Sequence, residues 1–197
     1  MRNTICFILL ILTGCNTSDV FRINGSMKDA SYDGEYIYLV PLENSSIKRT
    51  DSTLIANGIF QFKGSAEAPE IYIVRARPLL RLTLQELLVV KEPGVLKLNI
   101  GNNSSTGGTA LNDSLQKWKE KKMMSDSLYY QLLGQYKAVD KTLQSQIKQK
   151  ADSLNTATLD FNYLFVRNNI DNVVGKFVNK VMGNSFSPEQ QKNLNLK

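Results

Sequence analysis

The sequence predicts a segregated α+β fold: an N-terminal antiparallel β-sandwich of about seven or eight strands, followed by a C-terminal helical segment. Three observations carry this prediction. From Val20 to Ile100 the apolar residues mostly alternate with polar ones at period two. Turn-forming dipeptides punctuate the same stretch at short spacing. Beyond Leu111 the apolar residues recur in steps of three and four, the spacing of one helix face.

The chain opens on an address. Arg2 supplies a short basic start, and the apolar stretch Ile5 to Leu12 is too short to span a bilayer, so it reads as the core of a secretory signal. It closes on Leu12-Thr13-Gly14-Cys15, which resembles the bacterial lipobox and implies cleavage after Gly14 with lipid on Cys15. Residues 1–14 are then a lipoprotein signal peptide and 15–19 a lipidated tether. The membrane becomes a partner through that lipid, with the body of the protein in water. Asn16 follows the cysteine, and resemblance to lipoprotein sorting rules implies the outer membrane, on its periplasmic or surface face.

Composition narrows the chemistry. The chain has 197 residues, 42% hydrophobic and 21% charged, the mix of a globular protein with a real core. Histidine is absent, and the cysteines are Cys6, which leaves with the signal, and Cys15, which takes lipid. The mature chain therefore lacks a thiol and an imidazole, which excludes disulfide and CxxC chemistry, histidine-based triads and most metal sites. No catalytic residue, cofactor or metal is expected. Loss of Arg2 leaves 23 basic and 18 acidic residues, a formal +5, all of it contributed by the segment after Leu111. So modest an excess on a tethered, secreted chain gives no reason to expect nucleic acid.

The strands of residues 20–100 follow in order. Phe60 and Phe62 alternate with Gln61 and Lys63, Leu82 and Leu84 with Thr83 and Gln85, and Leu96, Leu98 and Ile100 with Lys97 and Asn99. Each of these has one wet face. Tyr36 to Val40 and Ile71 to Val74 are apolar on both faces and suit central strands. Asn24-Gly25, Asp33-Gly34, Asn57-Gly58 and Pro93-Gly94 mark turns. Residues 101–110, polar and glycine-rich, read as a loop, and lack the Gly-Lys-Ser/Thr ending of a phosphate-binding loop.

Residues 111–197 form the helical segment. Leu111, Leu115 and Trp118 begin it, and a stripe from Leu128 through Leu143 to Phe165 is expected to pack on the sheet or on neighbouring helices. Val173 to Met182 is a further helix. Ser187-Pro188-Glu189-Gln190 has a serine cap, proline at the first helical position and glutamine at the third, the pattern of a capping box.

The order of these pieces resembles a domain of unknown function, common in Bacteroidota, that usually precedes a thioredoxin-like (AhpC/TSA or TlpA-like) domain in lipid-anchored thiol-disulfide oxidoreductases. The resembling segments are Phe21 to Gly25, Gly34 to Val40, Asp51 to Thr53, Asn57 to Gly64, Glu92 to Gly94 and Gly108 to Asn112. In that family Ser-Pro-Glu-Gln commonly leads into the redox domain. Here the sequence reaches Lys197 shortly after that motif, so the resemblance implies the accessory half alone.

Several constellations have both a chemical and a structural reading. Asp51, Glu92 and Asp113 are carboxylates in the resembling motifs; without a histidine or nucleophile they are expected to serve a turn, the Pro93-Gly94 corner and a helix start. Arg75 and Arg77 project from one face of a strand and Arg81 follows Pro78, a patch able to hold a carboxylate or sulfate; an edge strand kept soluble by charge is the alternative. Lys117, Lys119, Lys121 and Lys122 cluster around Trp118, a pattern able to meet an acidic surface; a solvated helix face with the indole on its packing side is the reading favoured. Asp-Ser pairs at Ser52, Ser114, Ser127 and Ser153 suit helix punctuation, and also resemble the acceptors of Bacteroidota periplasmic O-glycosylation. The expected function is a lipid-anchored cell-envelope accessory or binding module without catalytic activity of its own. The alternative is the split or truncated N-terminal half of a thiol-disulfide oxidoreductase system acting with a separate thioredoxin-like protein.

Overall fold

A computed structural model describes residues 19–76, 87–101 and 103–195. The described strands are β1 (Val20–Met27), β2 (Tyr36–Pro41), β3 (Asp51–Leu54), β4 (Ile59–Ser65), β5 (Glu70–Ala76), β6 (Leu87–Lys91), β7 (Gly94–Ile100) and β8 (Ser105–Gly107). The helices α1 (Ala110–Ala138), α2 (Lys141–Asn169), α3 (Val173–Met182) and α4 (Pro188–Asn195) follow. The segregated α+β architecture is as the sequence predicts. Cys15, Arg77, Arg81, Leu82 and Leu84 lie outside the described residues.

The strands form two four-stranded sheets, ordered β4-β1-β7-β8 and β3-β2-β5-β6. Ile23, Phe62, Leu96 and Leu98 of the first sheet meet Ile37, Leu39, Val74 and Val89 of the second in one buried core. Pairing is antiparallel except between β1 and β7, which run parallel from Phe21 opposite Gly94 to Met27 opposite Ile100. No short turn can join parallel neighbours, and here the whole second sheet lies between them in sequence.

The two-sided apolar strands are central. In β5, Tyr72, Val74 and Ala76 enter the sandwich core, while Ile71 and Ile73 are buried on the opposite face. Val90 of β6 belongs to a second core with Leu115, Trp118, Val166, Val174 and Val178 of the helices. The helical segment thus covers the β5–β6 half of the outer face of the second sheet, and β2 and β3 leave the other half open.

Local chemistry decides where the turn signals succeed. Asn57 (φ 53°) and Gly58 (φ 68°) both occupy the left-handed region, as the two-residue turn closed by the antiparallel Ala56–Ile59 bridge requires where the chain passes from β3 in one sheet to β4 in the other. Asn24-Gly25, expected to turn, instead runs inside β1. Gly25 is needed there for a different reason: a Cβ would stand 1.9 Å from Phe60 Cζ, because the ring lies across the glycine. Residues 101–110 are not wholly loop, since Ser105 to Gly107 pair with β7 as β8.

The helices keep the predicted spacing but break it at Val139 and Asp140. Asp140 caps α2 by accepting from the backbone N–H groups of Thr142 (2.9 Å) and Leu143 (3.1 Å). The long stripe is therefore folded into a hairpin and is not continuously buried. Leu132 and Val166 are enclosed, whereas Leu143 is 44% exposed. α3 spans the predicted residues, and the capping box forms: Gln190 N–H donates to Ser187 Oγ (3.2 Å) and Ser187 N–H to Gln190 Oε1 (2.9 Å). Among the described residues no helix is long and apolar enough to cross a membrane.

Candidate functional site

One side of the sandwich is closed by α1. β6 is the edge of its sheet and would present unpaired backbone groups there. Asn112 meets them: Val90 N–H donates to Asn112 Oδ1 (2.9 Å), and Asn112 Nδ2 donates to the Val90 carbonyl (2.8 Å). Two turns further on, Lys119 Nζ donates to the Leu88 carbonyl at 3.2 Å. Glu92, buried at the β6–β7 corner, accepts from Thr109 Oγ1 and from Asn112 Nδ2 (3.1 Å). Asp113 accepts from the Gly108 N–H at 2.9 Å. Glu92 and Asp113 therefore hold the start of α1 in place, as expected for a corner and a helix start. Burial pulls the Lys119 ammonium down to about 8.

The open half of the second sheet carries the candidate binding surface. Tyr38 stands opposite Ser52 of β3 on one side and Arg75 of β5 on the other, so three strands place these side chains in one row. Tyr36, in the next row of that face, is opposite Leu54, and its ring lies 6.4 Å from that of Tyr38. The connection from β2 to β3 folds over this face, held by Arg49, which donates to both carboxylate oxygens of Glu70 at 2.6 and 2.7 Å. That pairing raises the Arg49 guanidinium further above its already high range. Between connection and sheet lies a cavity of about 440 Å³, lined by Tyr38, Val40, Ile47, Thr50, Ser52 and Arg75 among others. Ile47 stands at its rim with 95% of its surface exposed.

This groove unites two features that the sequence kept apart, Arg75 of the arginine patch and Ser52 of the Asp-Ser pairs. Three expectations need correction. β5 lies between β2 and β6, so a charged edge strand does not account for Arg75. Asp51-Ser52 opens β3 and is not a turn. The Asp-Ser pairs of Ser114, Ser127 and Ser153 lie within α1 and α2, whereas Asp140 and Asn172 cap α2 and α3. Ser127 and Ser153 are exposed, and the Ser114 hydroxyl donates to Asn169 Oδ1 at 3.3 Å.

The lysine cluster divides. Lys117 is exposed and Lys122 pairs with Asp126 at 2.6 Å, but Lys119 turns inward to β6. Trp118 lies on the packing side as expected, donating to Asn162 Oδ1 (2.9 Å) and meeting Phe177 edge-on at 5.8 Å. Ile47 and Asn112 escaped the sequence reading. Both are ordinary residues in loop or helix context, and their roles depend on surfaces brought from elsewhere in the chain.

A two-sheet sandwich with a helix clasped to its β6 edge is the class of domain that these residues build. Residues 21–115 match the family model described as Domain of unknown function (DUF4369), so this part of the chain is a domain of unknown function. The match covers β1 through the first turns of α1 and contains the whole clasp of Glu92, Thr109 and Asn112. No curated protein and no solved structure matches the chain.

Proposed function

We propose that the protein is a lipid-anchored cell-envelope accessory module that binds an acidic ligand on the open face of its second sheet and has no catalytic activity of its own. The observation that carries this reading is the groove itself, where Arg75 stands in a row with Tyr38 and Ser52 beside the exposed Ile47. A guanidinium at the end of a row of two hydroxyl-bearing side chains suits a carboxylate or sulfate, and the tyrosine faces and Ile47 suit the apolar body that carries it. The lipobox at Cys15 and the position of Asn16 support anchoring at the outer membrane.

The test is a titration of the full chain with glucuronate and, separately, with sulfate, followed through the backbone amide shifts of Tyr38 and Ser52. Saturable shifts that disappear in Arg75→Gln, with the fold unchanged, are the expected result. Shifts that survive that substitution, or none at millimolar ligand, contradict the reading.

Exposure of Ser52, Ser127 and Ser153 supports their use as O-glycosylation acceptors; Ser114, with its hydroxyl committed to Asn169, is the weakest of the four. A second reading, an accessory half working beside a separate thioredoxin-like protein, rests on the resemblance of residues 21–115 and on the Ser187–Gln190 cap that opens α4. Cross-linking from Ser187 to Lys197 that never recovers such a protein counts against it.

A further inference from the structure

We propose that the distal half of the α1–α2 hairpin is a dimerisation surface whose occupant is the same hairpin of a second copy of this chain. Each helix has 29 residues, and a helix of that length extends about 43 Å. Among the described residues, the last hydrogen bond from α1 to a strand is that of Lys119. Beyond it each of the two helices has chiefly the other as support, held by Leu132. The surface left over is unusually apolar for a solvated face: Tyr129 is 41% exposed, Tyr130 71%, Leu133 37% and Tyr136 38%. A groove of about 420 Å³ runs between the helices here, bordered by Tyr129, Leu133, Tyr136, Ile147, Lys148 and Asp152.

The charges select the occupant. Lys148 and Asp152 lie one helical turn apart on the groove side of α2, and among the described residues neither forms an ion pair within the chain. A neutral groove with one cation and one anion at this spacing is its own complement. Under a two-fold axis crossing α2 near residue 150, Lys148 of each copy meets Asp152 of the other, and the tyrosines and leucines of the two hairpins close over one another. Two helical hairpins joined in this way make a four-helix bundle, the simplest structure that buries such a face. The groove lining, with one lysine and one aspartate, offers a strongly acidic or strongly basic partner no matching net charge.

The full chain, in a detergent matched for density, is examined by sedimentation velocity over roughly 1 to 100 μM, the range where a micromolar dimer dissociates. The expected result is a monomer–dimer equilibrium. Tyr129→Ser with Tyr136→Ser should give monomer at every concentration, while the melting temperature of the dilute chain stays that of the parent. Lys148→Glu and Asp152→Lys should each weaken the dimer about tenfold or more, and the two together should restore it. A parent that remains monomeric throughout overturns the proposal, as does a dimer indifferent to the single reversals. A parent that is monomeric and binds liposomes through the tyrosines overturns it too, by showing that lipid is the occupant.

Discussion

Asn112 replaces a neighbouring strand for Val90, with its amide oxygen and nitrogen each meeting one backbone group of the β6 edge. Alanine at this position leaves a buried N–H and a buried carbonyl without partners. Each such group costs about 1–3 kcal/mol, so Asn112→Ala should lose about 2–6 kcal/mol in urea denaturation, with Glu92 also deprived of a donor. Lys119 makes a second prediction. Its ammonium titrates near 8 in the folded protein and at its ordinary 10.5 when unfolded. Between those values the unfolded chain holds a proton that the folded chain has released, so stability should rise as pH increases across that window. Below about 8 both states are protonated and this contribution to the slope vanishes. Lys119→Met should remove the rise, as measured by denaturation at a series of pH values; a rise of the same size in the variant contradicts the assignment. Neither residue advertised its role. The partners of Asn112 and Lys119 lie 22 and 31 positions away, beyond the reach of local pattern.

At the scale of elements, what was legible is what is local. The alternation of Phe60 and Phe62 requires one buried face. Asn57-Gly58 supplies two left-handed residues where a hairpin needs them, and Ser187 with Gln190 closes a box within four residues. Asn24-Gly25 carries the same dipeptide signal, yet β1 continues through it because Phe60 needs a surface without a Cβ. The parallel pairing of β1 with β7 was beyond sequence pattern, since it is decided by the packing of both sheets. The helical stripe misled for a related reason. Val139 and Leu143 keep the helical step across the Asp140 cap, so spacing alone does not reveal the bend or which apolar residues remain uncovered. Leu143→Ala should accordingly shift stability by no more than about 0.5 kcal/mol, as expected for an exposed site away from the core. Leu115→Ala, in the helical core beside Val90, should cost about 2–5 kcal/mol. Thermal unfolding of the two variants checks the contrast, and equal losses would mean that the distal hairpin is packed within the monomer.

For the whole molecule, the two cores share β6, so the helices are part of the fold that positions the groove. They cover one half of the second sheet and leave Tyr36, Tyr38, Ser52 and Arg75 on the other. The binding proposed for this face concerns a chain without histidine and with cysteine confined to positions 6 and 15. The central claim, that the protein is a lipid-tethered module, rests on Cys15 and is tested most directly by incorporation of labelled palmitate in bacteria expressing the full chain. Label is expected in the parent and none in Cys15→Ala, with the variant released from the membrane fraction. Label that persists in Cys15→Ala, or a parent that never acquires it, would rule out a lipid tether at this residue.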